Sequence, residues 1–145
     1  MSACCALDEI FAGYLAAYES SWRAFPDVDA ALAAISAAGL TVAVLTNGSR
    51  EQQHQKLTRT GLAGRVGPMF TVEDVGAAKP DQAAFLAACA RLDLPPSSVL
   101  SVGDRHDLDV LPARAAGLRA VHLDRRDEGP HDEPHRIRSL ADLRL

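Results

Sequence analysis

Three kinds of feature are scarce in this sequence. Only Lys56 and Lys79 among its 15 basic residues are lysines, and the arginines are scattered along the chain, whereas nucleic-acid binders concentrate basic charge in a patch. The three cysteines include an adjacent pair and no Cys-x-x-Cys spacing, which argues against a disulfide framework and a zinc site. No apolar run approaches the roughly 20 residues of a membrane span, and the start lacks a signal-peptide pattern. We therefore expect a cytoplasmic protein without nucleic-acid or membrane partners.

What the sequence does contain fits one soluble domain. Its 145 residues are 48% hydrophobic and 23% charged, with a formal net charge of -4, and a chain of this length can bury one core. A first helix is predicted from Asp8, as its N-cap, to about Arg23, because bulky residues recur every three or four positions. A second helix is predicted to begin at Asp27 or Asp29 and to end at Gly39.

From residue 29 onward, predicted strands and helices alternate. The predicted strands cover residues 41–45, 69–72, 98–102 and 119–123. The predicted helices cover residues 50–60, 80–92 and 110–116. Asp109 is the expected cap of the last helix, a polar loop is expected over residues 124–135, and a short closing element over 139–143. This alternation predicts an α/β fold in which a parallel sheet lies between two layers of helices.

Polar residues stand where strands end or helices begin. Thr46 and Asn47 follow the first strand, Lys79 lies in a loop that opens a helix, and Asp104 follows the third strand with Asp109 five residues on. Parallel strands place their carboxyl ends at one edge of the sheet, where ligands bind. We therefore expect these residues to open onto one site.

Each of these residues suits one task in phosphoryl chemistry. The Thr46 hydroxyl and the backbone N–H groups after it can hold phosphate oxygens near a helix N-terminus, and Lys79 can neutralise their charge. Asp104 and Asp109 offer hard oxygen ligands of the kind that Mg2+ prefers. Singly, each residue also has a plain structural explanation: Thr46 can end a strand, Lys79 can lie at the surface and Asp109 can cap a helix.

The order of these signals resembles the second, third and fourth sequence motifs of the haloacid dehalogenase superfamily. The resemblance runs from about Phe25 to the C-terminus. It includes residues outside the motifs, such as the segment Ala115-Ala116-Gly117-Leu118. It implies a Rossmann-like, three-layer α/β/α core over residues 25–145, with residues 1–24 as the remnant of a helical cap.

The resemblance also implies roles for the site residues. Thr46, Lys79 and Asp104 would be catalytic, with Thr46, Asn47 and Lys79 holding the phosphoryl group. Asp104 would bind Mg2+, with Asp109 as a second ligand or as a partner of the ligand. The acidic pair favours the phosphatase branch, since the true dehalogenases need no metal. The implied activity is Mg2+-dependent hydrolysis of a small phosphorylated metabolite.

The sequence departs from the family pattern at its start. Family members begin with a strand that ends in Asp-x-Asp, whose first Asp is the nucleophile and whose second is the acid/base. Asp8 follows an apolar stretch, but Ile10 stands where the second Asp is needed, so a helix cap explains Asp8 better. Covalent catalysis by the family route is therefore expected to fail in this chain, and Mg2+-assisted attack by water would leave a residual activity.

The absent strand also implies a gap in the sheet. In the family it lies between the strands predicted here at 41–45 and 98–102, and its absence leaves two strand edges unpaired. We expect one of three outcomes: the sheet closes up, residues 3–7 insert as a strand, or a second chain contributes one. A simple monomer of family shape is not expected, so a homo-oligomer or a complementing chain is a candidate partner.

Several functions stay open at this point. The chain is a phosphatase-like hydrolase, a non-catalytic module that binds phosphate and Mg2+, or one half of a split protein. A response-regulator receiver is a rival fold, but the order of acidic residues does not match it. His131 and His135 have helical ligand spacing, yet the prolines around them favour a solvated loop, and His106 beside the site is expected at the surface.

Overall fold

The computed structural model describes the backbone of residues 3–145 and the side chains from residue 11 onward. Its helices are α1 (Ala3–Ser20), α2 (Val28–Ala37), α3 (Arg50–Arg59), α4 (Val72–Val75), α5 (Gln82–Arg91) and α6 (Leu111–Ala115). Its strands are β1 (Val44–Leu45), β2 (Met69–Phe70), β3 (Leu100–Gly103), β4 (Arg119–Leu123) and β5 (Arg136–Ile137). A π-helical turn covers His106–Val110, and 3₁₀ turns cover Pro96–Ser98 and Leu140–Asp142. Along these residues, no helix has both the length and the apolar character needed to cross a bilayer.

The five strands form two parallel sheets. β1 pairs with β2 in the register Val44↔Met69, and the second sheet has the order β3-β4-β5. Every pair is parallel, as the alternation of strands and helices predicted. Within residues 3–145, β1 and β3 are not paired with each other. The predicted gap between these strands is therefore present, and the sheet has not closed up.

The first helix differs from its prediction. α1 begins at Ala3, so Asp8 lies inside the helix and the prediction that it is the N-cap is wrong. Residues 3–7 are helical, so they do not insert as a strand. Their composition explains this, because alanine and leucine are strong helix formers. The side chains of Asp8, Cys4 and Cys5 lie outside the described residues.

The later helices begin and end close to the predicted positions. α2 starts directly after Asp27, and α3 starts after Ser49, whose side chain accepts a hydrogen bond from Gln52 N at 3.3 Å. Gly61 and Gly117 follow α3 and α6 with φ angles of +73° and +91°. Glycine adopts this left-handed conformation at little cost, so both residues end their helices.

The hydrophobic core lies against the second sheet. Its buried members are Phe85, Cys89, Val110, Ala113, Ala116, Leu118 and Ala120. Leu45 of β1 and Val99, the residue directly before β3, also pack against this cluster. Cys89 is buried in α5, as predicted for a free cysteine, and burial raises the pKa of its thiol.

Candidate active site

Lys79 is held from both sides of the gap between the sheets. Its backbone N–H donates to Asn47 Oδ1 and its carbonyl accepts from Asn47 Nδ2, both at 2.9 Å. Its Nζ donates to Asp109 Oδ1 at 2.5 Å, and both side chains are largely buried. Asn47 follows β1 and Asp109 follows β3, so Lys79 links the two sheets.

Asp109 is fixed by the π-helical turn after β3. Its Oδ2 accepts from Arg105 N at 3.1 Å, and its carbonyl accepts from Ser101 Oγ at 3.3 Å. The prediction that Asp109 caps the last helix is wrong, because Val110 occupies the cap position of α6. The carboxylate binds Lys79 and Arg105 instead, which the sequence could not show because a hydrogen bond to a distant segment leaves no local pattern.

Gly103 makes room for this carboxylate. A Cβ atom at Gly103 would lie 2.3 Å from Asp109 Cβ and 2.6 Å from Asp109 Oδ2. No side chain fits so close to another. The glycine before Asp104 is therefore required by the packing of Asp109.

Thr46 and Asp104 stand at the carboxyl ends of β1 and β3. The Thr46 hydroxyl oxygen accepts from Gly48 N at 3.0 Å, which leaves its proton available to donate to a ligand. The Asp104 side chain is exposed and makes no hydrogen bond to the described part of the protein. Its carbonyl lies 3.1 Å from Nε2 of buried His122, and because a carbonyl only accepts, that nitrogen carries the proton.

The loop after β4 closes over the π-helical turn. Glu133 accepts from Arg114 at 2.6 and 2.9 Å and contacts His106 Nε2 at 2.8 Å. These hydrogen bonds, above all the one from Arg114, hold the pKa of Glu133 well below its usual range. His106 is therefore not at the surface as expected, but half-buried against Glu133. Sequence reasoning missed Glu133, Arg114 and His122, since isolated polar residues in a loop or strand carry no spacing signal.

The side chains at this edge of the sheets can be compared with the ligands that Mg2+ prefers. Within the described residues, no three His, Cys, Asp or Glu side chains converge as a metal cluster. The exposed Asp104 carboxylate offers one anionic ligand, while Asp109 is already bound to Lys79. Mg2+ commonly takes one or two protein carboxylates and completes its shell with water and phosphate oxygens, so Asp104 fits this role. His131, considered above as a possible ligand, instead has its Nε2 at 3.1 Å from the Asp127 carbonyl oxygen.

Several known proteins are similar to most of this chain. Phosphoserine phosphatase from Thermus thermophilus is 38% identical over 124 residues, covering 83% of this chain and 50% of the relative. (S)-2-haloacid dehalogenase 1 from a Pseudomonas species is 32% identical, with 83% and 54% covered. The crystal structure of a HAD phosphatase from Thermococcus onnurineus superposes with a TM-score of 0.76 at 31% identity, covering 83% of this chain and 56% of that one.

The chain spans about half the length of the curated relatives it matches. A family model for haloacid dehalogenase-like hydrolases matches residues 5–117, which include Thr46, Lys79 and Asp104. The matched segment thus contains both strands beside the gap and these three predicted site residues. The chain belongs to the haloacid dehalogenase-like hydrolase family.

Proposed function

We propose that this chain carries the phosphate- and magnesium-binding part of a phosphatase-type hydrolase for small phosphorylated metabolites. The observation that carries the proposal is the clasp formed by Asn47, Lys79 and Asp109. It holds an ammonium group in a fixed, largely buried position at the carboxyl ends of the strands. Charge in such a site is weakly screened and can stabilise phosphoryl oxygens.

The other site residues have matching roles in this proposal. Thr46 and Asn47 begin the loop that leads into α3, so the Thr46 hydroxyl and the following N–H groups would bind phosphate oxygens. Asp104 would hold Mg2+, which supplies charge neutralisation of the phosphoryl group. Asp109 acts through Lys79, because its carboxylate orients the ammonium. The relatives named as phosphatases support a phosphorylated substrate.

We further propose that the 145-residue chain by itself hydrolyses phosphorylated substrates only slowly. Covalent phosphoryl transfer needs a free nucleophile at the site. Of the described carboxylates at this edge, Asp109 binds Lys79 and Asp104 is assigned to the metal. The alternative within the same site is a module that binds phosphate and Mg2+ without turnover.

Phosphate binding gives the direct test. Calorimetry with inorganic phosphate should show affinity weakened by about tenfold or more in Lys79→Ala, since a charge-assisted hydrogen bond is worth more than about 1.4 kcal/mol. Lys56→Ala is the matched control, because Lys56 lies over the Trp22 ring and not at the site. Equal phosphate affinity in the two variants would refute the proposed site.

Turnover separates the hydrolase from the binding module. Hydrolysis of an aryl phosphate should be measured with and without Mg2+, using Lys79→Ala and Asp104→Asn as blanks. Mg2+-dependent turnover lost in both variants would show that a nucleophile is present and that poor turnover is the wrong expectation. No turnover above the blanks, together with phosphate binding, supports the proposal.

Two wider predictions belong to the same proposal. Residues 1–24 would be the remnant of a helical cap on a core at 25–145. This division accounts for the exposed Phe11 and Tyr14 on α1, which a larger cap would cover. The protein is further expected to act in the cytoplasm, where phosphorylated metabolites are found.

A further inference from the structure

Asp104 lies just beyond the paired part of β3. The last residue of that strand, Gly103, stands opposite His122 of β4. The Asp104 side chain is exposed, and it makes no hydrogen bond to the part of the chain that the structure describes. The direction of its carboxylate therefore depends on how the main chain is held after the strand.

The peptide unit between Asp104 and Arg105 is hydrogen-bonded at both of its polar groups. Its carbonyl oxygen accepts from His122 Nε2 at 3.1 Å, and its N–H donates to Asp109 Oδ2 at 3.1 Å. A peptide unit is planar, and its C=O and N–H groups point in opposite directions when it is trans. Two such bonds therefore fix the plane, and the plane fixes where the Asp104 side chain leaves the main chain.

The two bonds come from different parts of the molecule. Asp109 also accepts from Lys79 Nζ, so its bond to the peptide is part of the site already described. His122 lies on β4, 18 residues from Asp104, and its own main chain is held in the sheet, where its N–H donates to His135 O at 2.9 Å. The position of the peptide is thereby tied to the best-packed sheet of the protein.

The His122 ring has one polar contact in a buried place. The residue is 2% exposed, and its ring lies 5.3 Å, between centroids, from the ring of His106. Among the described residues, Nδ1 of His122 has no hydrogen-bond partner. A buried nitrogen without a partner costs free energy, which an apolar side chain of similar size would avoid. Packing alone therefore does not explain a histidine here, whereas the bond to the Asp104 carbonyl does.

We propose that His122 is a positioning residue for Asp104. Its Nε2–H holds the carbonyl of Asp104, so the exposed carboxylate keeps one direction before a cation arrives. A ligand that is already oriented loses less conformational freedom on binding, and partners that orient metal ligands commonly affect metal affinity. The inference rests on the proposed function for the role of Asp104 as an Mg2+ ligand, but the hydrogen bond itself can be tested without metal.

Two substitutions separate the N–H donor from the ring. The amide nitrogen of glutamine reaches about as far as Nε2 of histidine, whereas that of asparagine reaches only about as far as Nδ1. His122→Gln therefore keeps a donor for the Asp104 carbonyl, and His122→Asn removes it. Both variants lose the ring, so an effect that comes from packing alone would change the two alike.

Hydrogen exchange measured by NMR tests the bond in the absence of metal. In His122→Asn, the Arg105 amide should exchange at least about tenfold faster than in the parent chain, because its peptide unit is released at one end. In His122→Gln, its exchange should stay within about threefold of the parent value. The amide of Val121, in the paired part of β4, corrects for any change in global stability. Equal acceleration at Arg105 in both variants, or none in either, overturns the inference.

Calorimetry with Mg2+ alone tests the consequence for the metal. His122→Asn should weaken Mg2+ binding by about tenfold or more, and His122→Gln should stay within about threefold of the parent chain. If both variants weaken binding equally, the inference is wrong. A parent chain that binds no Mg2+, or an Asp104→Asn variant that binds it as well as the parent, refutes the proposed metal site instead. The exchange of the Arg105 amide then decides by itself whether His122 positions Asp104.

His131 provides the matched control. Its Nε2 also lies 3.1 Å from a carbonyl oxygen, that of Asp127, but the residue is exposed. His131→Asn should leave both the Mg2+ affinity and the exchange of Arg105 unchanged, and the same changes there would overturn the assignment to His122. Circular dichroism establishes that the variants fold. If His122→Asn does not fold, His122→Met replaces it, because methionine fills a similar volume without an N–H donor.

Discussion

The two sheets differ in how they are supported. The β3-β4-β5 sheet lies beside seven buried apolar residues that all fall between Phe85 and Ala120, and its loops are fixed by buried carboxylates. One is Asp124, which accepts from Arg136 Nε at 2.8 Å. The β1-β2 sheet has two residues in each strand, and the helix after it, α3, has no buried residue.

This contrast suggests that one sheet determines the stability of the protein and the other contributes residues for binding. The carboxyl-terminal sheet holds the core and should set the global free energy of unfolding. The amino-terminal sheet contributes Thr46 and Asn47 to the proposed site with far less packing behind them, so it should open first. Four substitutions test this division, in order of expected effect.

The largest effect is expected in the core. Phe85 is 3% exposed, so Phe85→Ala should lower the free energy of unfolding by about 3–5 kcal/mol through lost burial and a new cavity. Leu86, its neighbour on α5, is 45% exposed, and Leu86→Ala should cost less than about 0.5 kcal/mol. Urea unfolding followed by circular dichroism measures both, and equal losses would contradict the assignment of the core.

A smaller loss is expected from Gly103→Ala. The added methyl group would overlap Asp109, so we expect about 2 kcal/mol of destabilisation from overpacking and weaker phosphate binding through the displaced Lys79. At Gly13 in α1, an added Cβ would meet no atom of the described residues within 4 Å, so Gly13→Ala should stabilise by about 0.5–1 kcal/mol. Unchanged phosphate affinity in Gly103→Ala would mean that the position of Asp109 does not affect phosphate binding.

Asp27 joins α2 to the end of the chain. It accepts from Arg125 at 2.8 Å, Ser139 Oγ at 2.7 Å and Leu140 N at 2.8 Å. The Arg125 hydrogen bond is the main reason that the pKa of Asp27 lies below its ordinary value. Asp27→Asn should cost about 1.5 kcal/mol at neutral pH.

The pH dependence gives this prediction its sign. A carboxyl with a lowered folded pKa stabilises fully above its unfolded pKa of about 4, and the contribution is lost as pH falls toward the folded value. Thermal melts between about pH 6 and pH 2 should therefore fall less steeply for Asp27→Asn than for the parent chain. Asp29→Asn, at an exposed site paired with Arg65, should keep the parent slope; the same flattening there would point to a general charge effect.

The smallest effect is expected at the cap of α3. Ser49 accepts from Gln52 N, and Ser49→Ala should cost about 1 kcal/mol. Because α3 has no buried residue, exchange of its own amides should speed up more than exchange in α5. Thr58→Ala, on the exposed face of α3, provides the comparison. Uniform acceleration across the protein would mean that the two sheets unfold together.

The sequence predicted those features that depend on local chemistry. Thr46, Asn47 and Asp104 follow strands, and the position of a polar residue after an apolar run reveals the sheet edge without any tertiary information. The parallel sheet followed from the alternation of elements. The gap between β1 and β3 followed from the family resemblance, since the strand that separates them there has no counterpart in the sequence.

Features that depend on distant partners were not predictable. Asp109 looked like a helix cap because caps are local, whereas its actual partner, Lys79, is 30 residues away. β5 escaped prediction because its two residues are held by β4, through bonds such as His122 N to His135 O at 2.9 Å. α1 extended past its predicted start because an N-cap residue signals a helix start only where no helix former precedes it.

The double attachment of Lys79 gives the molecule an internal reporter. Asn47, next to one sheet, hydrogen-bonds the Lys79 main chain, and Asp109, next to the other sheet, hydrogen-bonds its amine. Any change in the spacing of the sheets therefore alters the strength of the hydrogen bond between the amine and Asp109. The amines that compete with it for an amine-selective reagent are the one other lysine, Lys56, and the α-amino group. The rate at which Lys79 is acylated therefore reports the separation of the two sheets in solution, with no substitution made in the protein.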